Sequence, residues 1–261
     1  VLFRSSSTST KVITQPNLIS SSYSQVACQS FSWNGTTYTQ SGSYTQTFVS
    51  SSGCDSAVTL NLTINNCPTG KTLNITAFIQ GYYIGTSSMT SVLQNQGVSN
   101  SLATQVDTIT VELRDSLNPS TVIASGKSLL LTNGNASITF NNLSNNHAMW
   151  IVIKHRNAIE TWSGLPVALS PTTYYDFTNA ASQAYGNNMA EVETGIWAFY
   201  SGDMNQDGFV DSFDFPAYDS DNLSFATGYL ATDLNGDGFV DSFDFPTFDT
   251  NNINFISVIN P

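Results

Sequence analysis

The sequence predicts a mainly β chain, with a small N-terminal β repeat and a Greek-key β-sandwich followed by a small C-terminal module of short helices and loops. Three observations predict it. Apolar and polar residues alternate with period two over much of residues 15–200, as in half-buried strands. Charged residues make up only 10% of the chain while Ser, Thr, Asn and Gly abound, a balance that suits extracellular β proteins better than cytosolic helical enzymes. The charge also changes abruptly near residue 200. Residues 1–200 hold all seven Lys and Arg against eight Asp and Glu, whereas residues 201–261 hold eleven Asp and no basic residue. At 261 residues the chain exceeds one minimal module, and two or three domains are expected.

Residues 1–14 are expected to be poorly structured or artefactual, since Leu2-Phe3-Arg4-Ser5 is also what a common sequencing-adapter end encodes. The N-terminus lacks the pattern of a signal peptide, so a secretory signal is expected upstream. No apolar run reaches the length of a membrane span. Residues 15–66 read as a short β repeat, with Phe31, Trp33, Tyr38, Tyr44, Phe48, Val58, Leu60, Leu62 and Ile64 at the alternating positions. Asn34-Gly35 is a hairpin signal and Ser52-Gly53 a weaker one. Three cysteines leave one over if a disulfide forms. Cys28 with Cys54 is the preferred pair because both fall inside one candidate domain; three buried thiols are the alternative, and Cys67 sits in the linker Asn66-Cys67-Pro68-Thr69-Gly70. The stretch carrying Cys28, Ser32-Trp33-Asn34-Gly35-Thr36-Thr37-Tyr38, Ser41-Gly42-Ser43-Tyr44-Thr45, Gly53-Cys54-Asp55-Ser56 and Thr59-Leu60-Asn61-Leu62-Thr63-Ile64 resembles a β repeat found in tandem in large surface and secreted proteins of gliding Gram-negative bacteria. That resemblance implies a spacer or adhesive element.

Residues 71–200 are expected to form the sandwich. Strands are predicted at Leu73–Gln80, Thr108–Arg114, Ser128–Thr132, Ala136–Phe140, Met149–Lys154 and Ile196–Tyr200, punctuated by Asn118-Pro119 and Asn133-Gly134. In the clearest strand Trp150, Val152 and Lys154 face one way and Ile151, Ile153 and His155 the other. A helix-like stretch at Thr178–Tyr185 is too short to change the class. Gln80-Gly81-Tyr82-Tyr83-Ile84-Gly85, His155-Arg156-Asn157, Glu160-Thr161-Trp162-Ser163 and Ala198-Phe199-Tyr200-Ser201-Gly202-Asp203 are together similar to a domain that precedes dockerin-like tails in the same bacteria. This resemblance implies architecture more than activity.

Residues 201–261 contain a repeat of period 30 in which twelve of fourteen positions are identical, Asp203–Pro216 against Asp233–Pro246. Calcium takes six to eight oxygens, and an EF-hand loop supplies them from positions 1, 3, 5, 7, 9 and 12 with glycine at 6. Asp203, Asn205, Asp207, the Phe209 carbonyl, Asp211 and Asp214 fit that scheme around Gly208. Asp233, Asn235, Asp237, the Phe239 carbonyl, Asp241 and Asp244 fit it around Gly238. Two Ca²⁺ ions are expected; magnesium keeps its waters and avoids all-protein cages. Four carboxylates per loop would repel one another without a cation, so the apo tail is expected to be largely unfolded.

The pattern Asp-x-Asn-x-Asp-Gly-x-x-Asp-x-x-Asp, with Asp at position 12, resembles the type I dockerin repeat. The resemblance implies a cohesin-like protein partner contacted through positions 10 and 11, here Ser212, Phe213, Ser242 and Phe243. Their identity in both copies implies binding in either orientation. The chain departs from well-studied dockerins in lacking basic residues and in placing Phe215-Pro216 and Phe245-Pro246 directly after the last ligand. Proline there requires a short helix capped by Ser212 or Ser242.

Catalytic constellations are absent from the sequence. His147 and His155 do not have metal-pair spacing, and Ser163 is not in a nucleophile elbow. Glu191 and Glu193 would share one strand face but read as a solvated pair rather than a glycosidase dyad. The reading is therefore of a non-enzyme, with any catalytic domain expected upstream. So acidic a chain excludes nucleic acid. Tyr82, Tyr83, Trp162, Tyr174 and Tyr175 are candidates for stacking on sugars, core packing being the competing reading. The expected function is that of a non-catalytic calcium-binding module of a secreted or cell-surface bacterial protein, whose dockerin-like unit docks to a partner or to its own β-sandwich. The alternatives are a carbohydrate-binding or adhesive accessory of a polysaccharide-degrading protein, and a subunit of an extracellular fibre or surface layer.

Overall fold

The computed structural model describes residues 19–49, 55–65, 70–141, 143 and 147–261. The chain divides into two compact units between Cys67 and Pro68, within the stretch read as a linker. Residues 1–14, Ser52-Gly53, Cys54 and Cys67 lie outside the described residues.

In the first unit, β1 (Ile19–Cys28), β2 (Phe31–Trp33), β3 (Thr36–Tyr38), β4 (Gly42–Val49) and β5 (Asp55–Asn65) make a three-stranded sheet of order β1-β5-β4 and a β2-β3 hairpin. Asn34 and Gly35 both take positive φ, 46° and 80°, the turn whose twist matches that of the flanking strands. Trp33, Leu60 and Leu62 form the buried centre, with Tyr38 and Tyr44 packed against it. β1 runs parallel to β5, with Ile19 opposite Ser56 and Cys28 opposite Asn65. Cys28 is disulfide-bonded; the ladder sets it at the end of β5 remote from Asp55, about 30 Å of strand away.

The second unit contains β6 (Lys71–Thr76), β7 (Tyr83–Gly85), β8 (Ser88–Met89), the single-turn helix α1 (Val92–Asn95), β9 (Gln105–Asp115), β10 (Val122–Leu131), β11 (Asn135–Phe140), β12 (Met149–His155), β13 (Ala158–Trp162), β14 (Thr172–Asp176), β15 (Ala190–Glu193) and β16 (Ile196–Ala198), then helices α2 (Phe215–Leu223) and α3 (Phe245–Ile253). One sheet has the order β10-β9-β12-β13 and the other β11-β6-β14. Between them lies a single apolar core: Leu73 and Ile75 of β6, Ile109, Val111 and Leu113 of β9, Ile138 and Phe140 of β11, and Ile151 and Ile153 of β12. β12 divides its faces as the alternation predicts, since Trp150 and Val152 pack instead with Trp162 on the sheet's other side.

Several elements depart from the expectation. β13 is buried at four of five positions and so carries no period-two signal. β14 pairs in parallel with β6, so the smaller sheet is mixed. The predicted strand from Leu73 ends at Thr76, and Gln80–Tyr82 is a 3-10 turn. Thr178–Tyr185 is not an α-helix; 3-10 turns occupy Ala181–Gln183 and Tyr185–Asn187.

Each C-terminal loop leads into a nine-residue helix with proline in its first turn, where the missing N–H costs nothing. The N-caps are Asp214 and Asp244, not Ser212 and Ser242 as expected, and their carboxylates turn back into the loops. Met204, Val210, Tyr218, Leu234, Val240 and Phe248 share a second core with Ile159 of β13. The tail is thereby packed on the edge of the sandwich.

Candidate metal centre

The two loops are folded by their own side chains in the same way. In the first, Asp203 accepts from the backbone N–H of Asp207 (3.1 Å) and Gly208 (3.2 Å). Asn205 accepts from Asp207 N–H, Asp207 from Phe209 N–H, and Asp211 from Phe213 N–H. Asp214 closes the ring, accepting from Met204, Asn205 and Asp211 N–H at 2.7–3.0 Å. In the second, Asp233 accepts from Gly236 and Gly238, Asn235 from Asp237, Asp237 from Phe239, Asp241 from Phe243, and Asp244 from Leu234, Asn235 and Asp241. Short carboxylates and amides bonding N–H groups a few residues on are what Asp and Asn do in turns. Gly208 and Gly238 hold φ of 90° and 97°, a region that side chains avoid. The sequence-predicted residues are thus brought together, loop by loop.

Asp203, Asp214, Asp233 and Asp244 are buried, whereas Asp207 and Asp237 are exposed. Each loop is a cup with carboxylates at its base and its rim. Burial, reinforced by Asp214, pushes the Asp203 carboxyl up to about 7. Burial pushes Asp244 up to about 6, with Asp233 adding to it, and also raises Asp214 and Asp233. Buried carboxylates that resist ionisation beside one another are what a cation would relieve, so the donor set fits a hard divalent ion. No cluster of three or more His, Cys, Asp or Glu side chains among the described residues forms a metal cage from those residue types alone. A cation at these loops must also draw on Asn205 or Asn235 and on main-chain carbonyls, as the EF-hand scheme does. It must also displace internal bonds such as Asn205 Nδ2 to Asp207 Oδ2, 2.9 Å.

The loops differ in their surroundings. The first opens on a cavity of about 490 Å³ lined also by Lys154 and Glu160. The second is pressed on the sandwich: Gln96 Nε2 donates to Asp233 Oδ2 at 2.6 Å, Asn95 Nδ2 to the Gly236 carbonyl, and Asn157 Nδ2 to the Asp233 carbonyl. Beneath lies a buried polar centre that the sequence reading missed. Asp107, fully buried, accepts from Arg156 Nε at 2.7 Å and Tyr229 OH at 2.6 Å and meets His155 Nε2 at 3.1 Å. Arg156 also donates to Tyr82 OH, to Gln96 Oε1 and to the Leu230 carbonyl, and its guanidinium lies 4.1 Å over the Tyr229 ring. Burial works against the Asp107 charge, but His155, Arg156 and Tyr229 outweigh it and hold the carboxyl far below the usual range. Two of the stretches that carry the resemblance reach this centre, His155-Arg156-Asn157 directly and Gln80-Gly81-Tyr82-Tyr83 through the Tyr82 hydroxyl.

Of the expected partner-contact residues, Ser212 and Ser242 are exposed, and Phe213 and Phe243 are 74% and 75% exposed. Phe225 and Phe255, not singled out from sequence, are more exposed still and hold positive φ. Among the sugar-stacking candidates Tyr82 and Trp162 are core residues, Tyr82 on a 3-10 turn that folds inward and Trp162 at the end of β13 against Trp150, and Tyr174 is exposed. Glu193 accepts from Tyr83 OH and Thr86 N–H, and Glu191 from Gly195 N–H; a register shift separates the two acids, so they do not share a regular strand face.

No family model matches the chain, and no curated protein does. Among solved structures it is similar to two type II cohesin–X-dockerin complexes from Acetivibrio cellulolyticus. One is a C-terminal interface mutant, at 14% identity, and the other an N-terminal interface mutant, at 16%; each has a TM-score of 0.42 and covers 70% of this chain and 95% of the matched one. No helix among the described residues is long and apolar enough to cross a membrane.

Proposed function

We propose that residues 201–261 are a dockerin-like double calcium-binding module that clamps onto its own β-sandwich, in a non-catalytic part of a secreted or cell-surface bacterial protein. What carries this reading is the duplicated fold of the loops, in which the residues at positions 1, 3, 5, 9 and 12 all accept backbone N–H bonds in both copies. Asp203, Asn205, Asp207, Asp211, Asp214 and the Phe209 carbonyl would hold one ion. Asp233, Asn235, Asp237, Asp241, Asp244 and the Phe239 carbonyl would hold the other. Calcium supplies the positive charge that lets the buried carboxylates ionise, and so links ion binding to the stability of the clamp. The clamp leaves Phe213 and Phe243 outward as the face for a protein partner of the cohesin kind.

Titration calorimetry of EDTA-stripped protein tests the reading. Two calcium ions per chain are expected, and Asp214→Ala and Asp244→Ala should each remove one. At calcium about a thousandfold above Kd, the gain in stability should be about 4 kcal/mol per site. A stoichiometry of zero, or a melting temperature indifferent to both calcium and EDTA, overturns it.

A further inference from the structure

The outer face of the smaller sheet carries a groove of about 560 Å³, none of whose lining residues belongs to the tail. Strand register sets its layout. One row across the three strands reads Tyr174, Asn74, Ser137, and the next Asp176, Thr76, Asn135. Alternation puts these six side chains opposite Leu73, Ile75, Ala136 and Ile138, which are in the core. Leu129 and Leu131 of β10 also line the groove. The face is uncharged except for Asp176, whose carboxylate already accepts from Thr178 N–H, Thr178 Oγ1 and Asn179 Nδ2.

Tyr174 is 78% exposed. A lone exposed aromatic needs no explanation; one set over free polar groups in a concave site does. Its neighbours Asn74 and Ser137 make no side-chain hydrogen bond within the described residues, so an amide and a hydroxyl beside the ring keep their donors and acceptors for something outside the chain. An apolar surface with a few convergent polar groups is the usual make-up of a small-molecule site. A tyrosine ring presents a flat, electron-rich face that matches the apolar C–H face of a sugar ring, while the sugar's hydroxyls need donors and acceptors at the rim.

We propose that this groove binds a neutral polysaccharide, with Tyr174 stacking on one sugar ring and Asn74, Ser137 and Asn135 bonding its hydroxyls. The absence of Lys and Arg from the lining leaves an anionic polymer no counter-charge, and the engagement of Asp176 leaves a basic one little to gain. The site is independent of calcium binding in the tail.

Affinity electrophoresis of the full chain, in native gels containing laminarin, barley β-glucan, galactomannan or xyloglucan with alginate as the charged comparator, tests the proposal. At least one neutral polymer should retard the protein, with or without EDTA, and alginate should not. Tyr174→Ala should weaken retardation about tenfold or more, equivalent to about 1.4 kcal/mol. Tyr174→Phe should keep it, and Asn74→Ala should weaken it several-fold. Tyr174 is exposed, so its truncation should leave circular dichroism unchanged. No retardation by any of the four polymers, equal retardation by alginate, or full binding by Tyr174→Ala overturns the proposal.

Discussion

Arg156→Ala is the most informative single change in the second unit, because one guanidinium joins the sandwich to the tail. It donates to Asp107 and Gln96 on the sandwich side and to the Leu230 carbonyl on the tail side, and it covers the Tyr229 ring. Truncation leaves Asp107 fully buried with His155, Tyr229 OH and Thr108 N–H as its remaining partners. Breaking a buried ion pair by removing one partner costs about 3–5 kcal/mol, and losing the cation–π contact adds about 0.5–2 kcal/mol. The surviving bonds to Asp107 hold the sum toward the lower end, so a loss of about 4 kcal/mol is expected, on the scale of a domain's whole stability. Urea denaturation in saturating calcium, followed by tryptophan fluorescence, measures it, since three of the four tryptophans, Trp150, Trp162 and Trp197, lie in this unit. Adding Asp107→Asn to the variant removes the stranded charge and should recover part of the loss, while Arg156→Lys should fall between because it keeps the charge without the fork. A loss below about 1 kcal/mol would be that of an exposed ion pair and would refute the assignment of Arg156 as the join.

Stability in EDTA should fall as pH rises from about 5 to about 8: a carboxyl whose folded value is raised, as for Asp203 (to about 7) and Asp244 (to about 6), binds more protons folded than unfolded in that window, at about 1.4 kcal/mol per pH unit. Saturating calcium should abolish that slope, and a flat EDTA profile would count against buried loop carboxylates. Below the ordinary carboxylate range the sign reverses, because the stability that the depressed Asp107 contributes is full above its unfolded value and is lost as pH falls from there toward its folded one; acid melts of Asp107→Asn against the parent check this. A Cβ at Gly81 would run into the Leu234 backbone carbonyl, so Gly81→Ala should cost about 1–3 kcal/mol and weaken calcium binding at the second loop more than at the first, as calorimetry would show.

The residues alone determined the features that depend on local chemistry. The period of 30, the acids at fixed loop positions and the glycine at position 6 are legible because each Asp or Asn bonds N–H groups within the same loop, and loop closure needs nothing distant. The same holds for the turn at Asn34-Gly35 and the two faces of β12, where alternation reports burial on one side. Only tertiary structure decided what depends on residues far apart. β13 and β14 were invisible because one is covered on nearly all sides and the other is defined by parallel pairing with β6. Tyr82 and Tyr174 look alike in sequence, yet one closes a buried polar centre and the other stands in the open. The join between tail and sandwich rests on Asp107, Arg156 and Tyr229, groups that mean little separately: a buried charge is tolerated only where partners from distant segments arrive together, and no local pattern encodes that meeting.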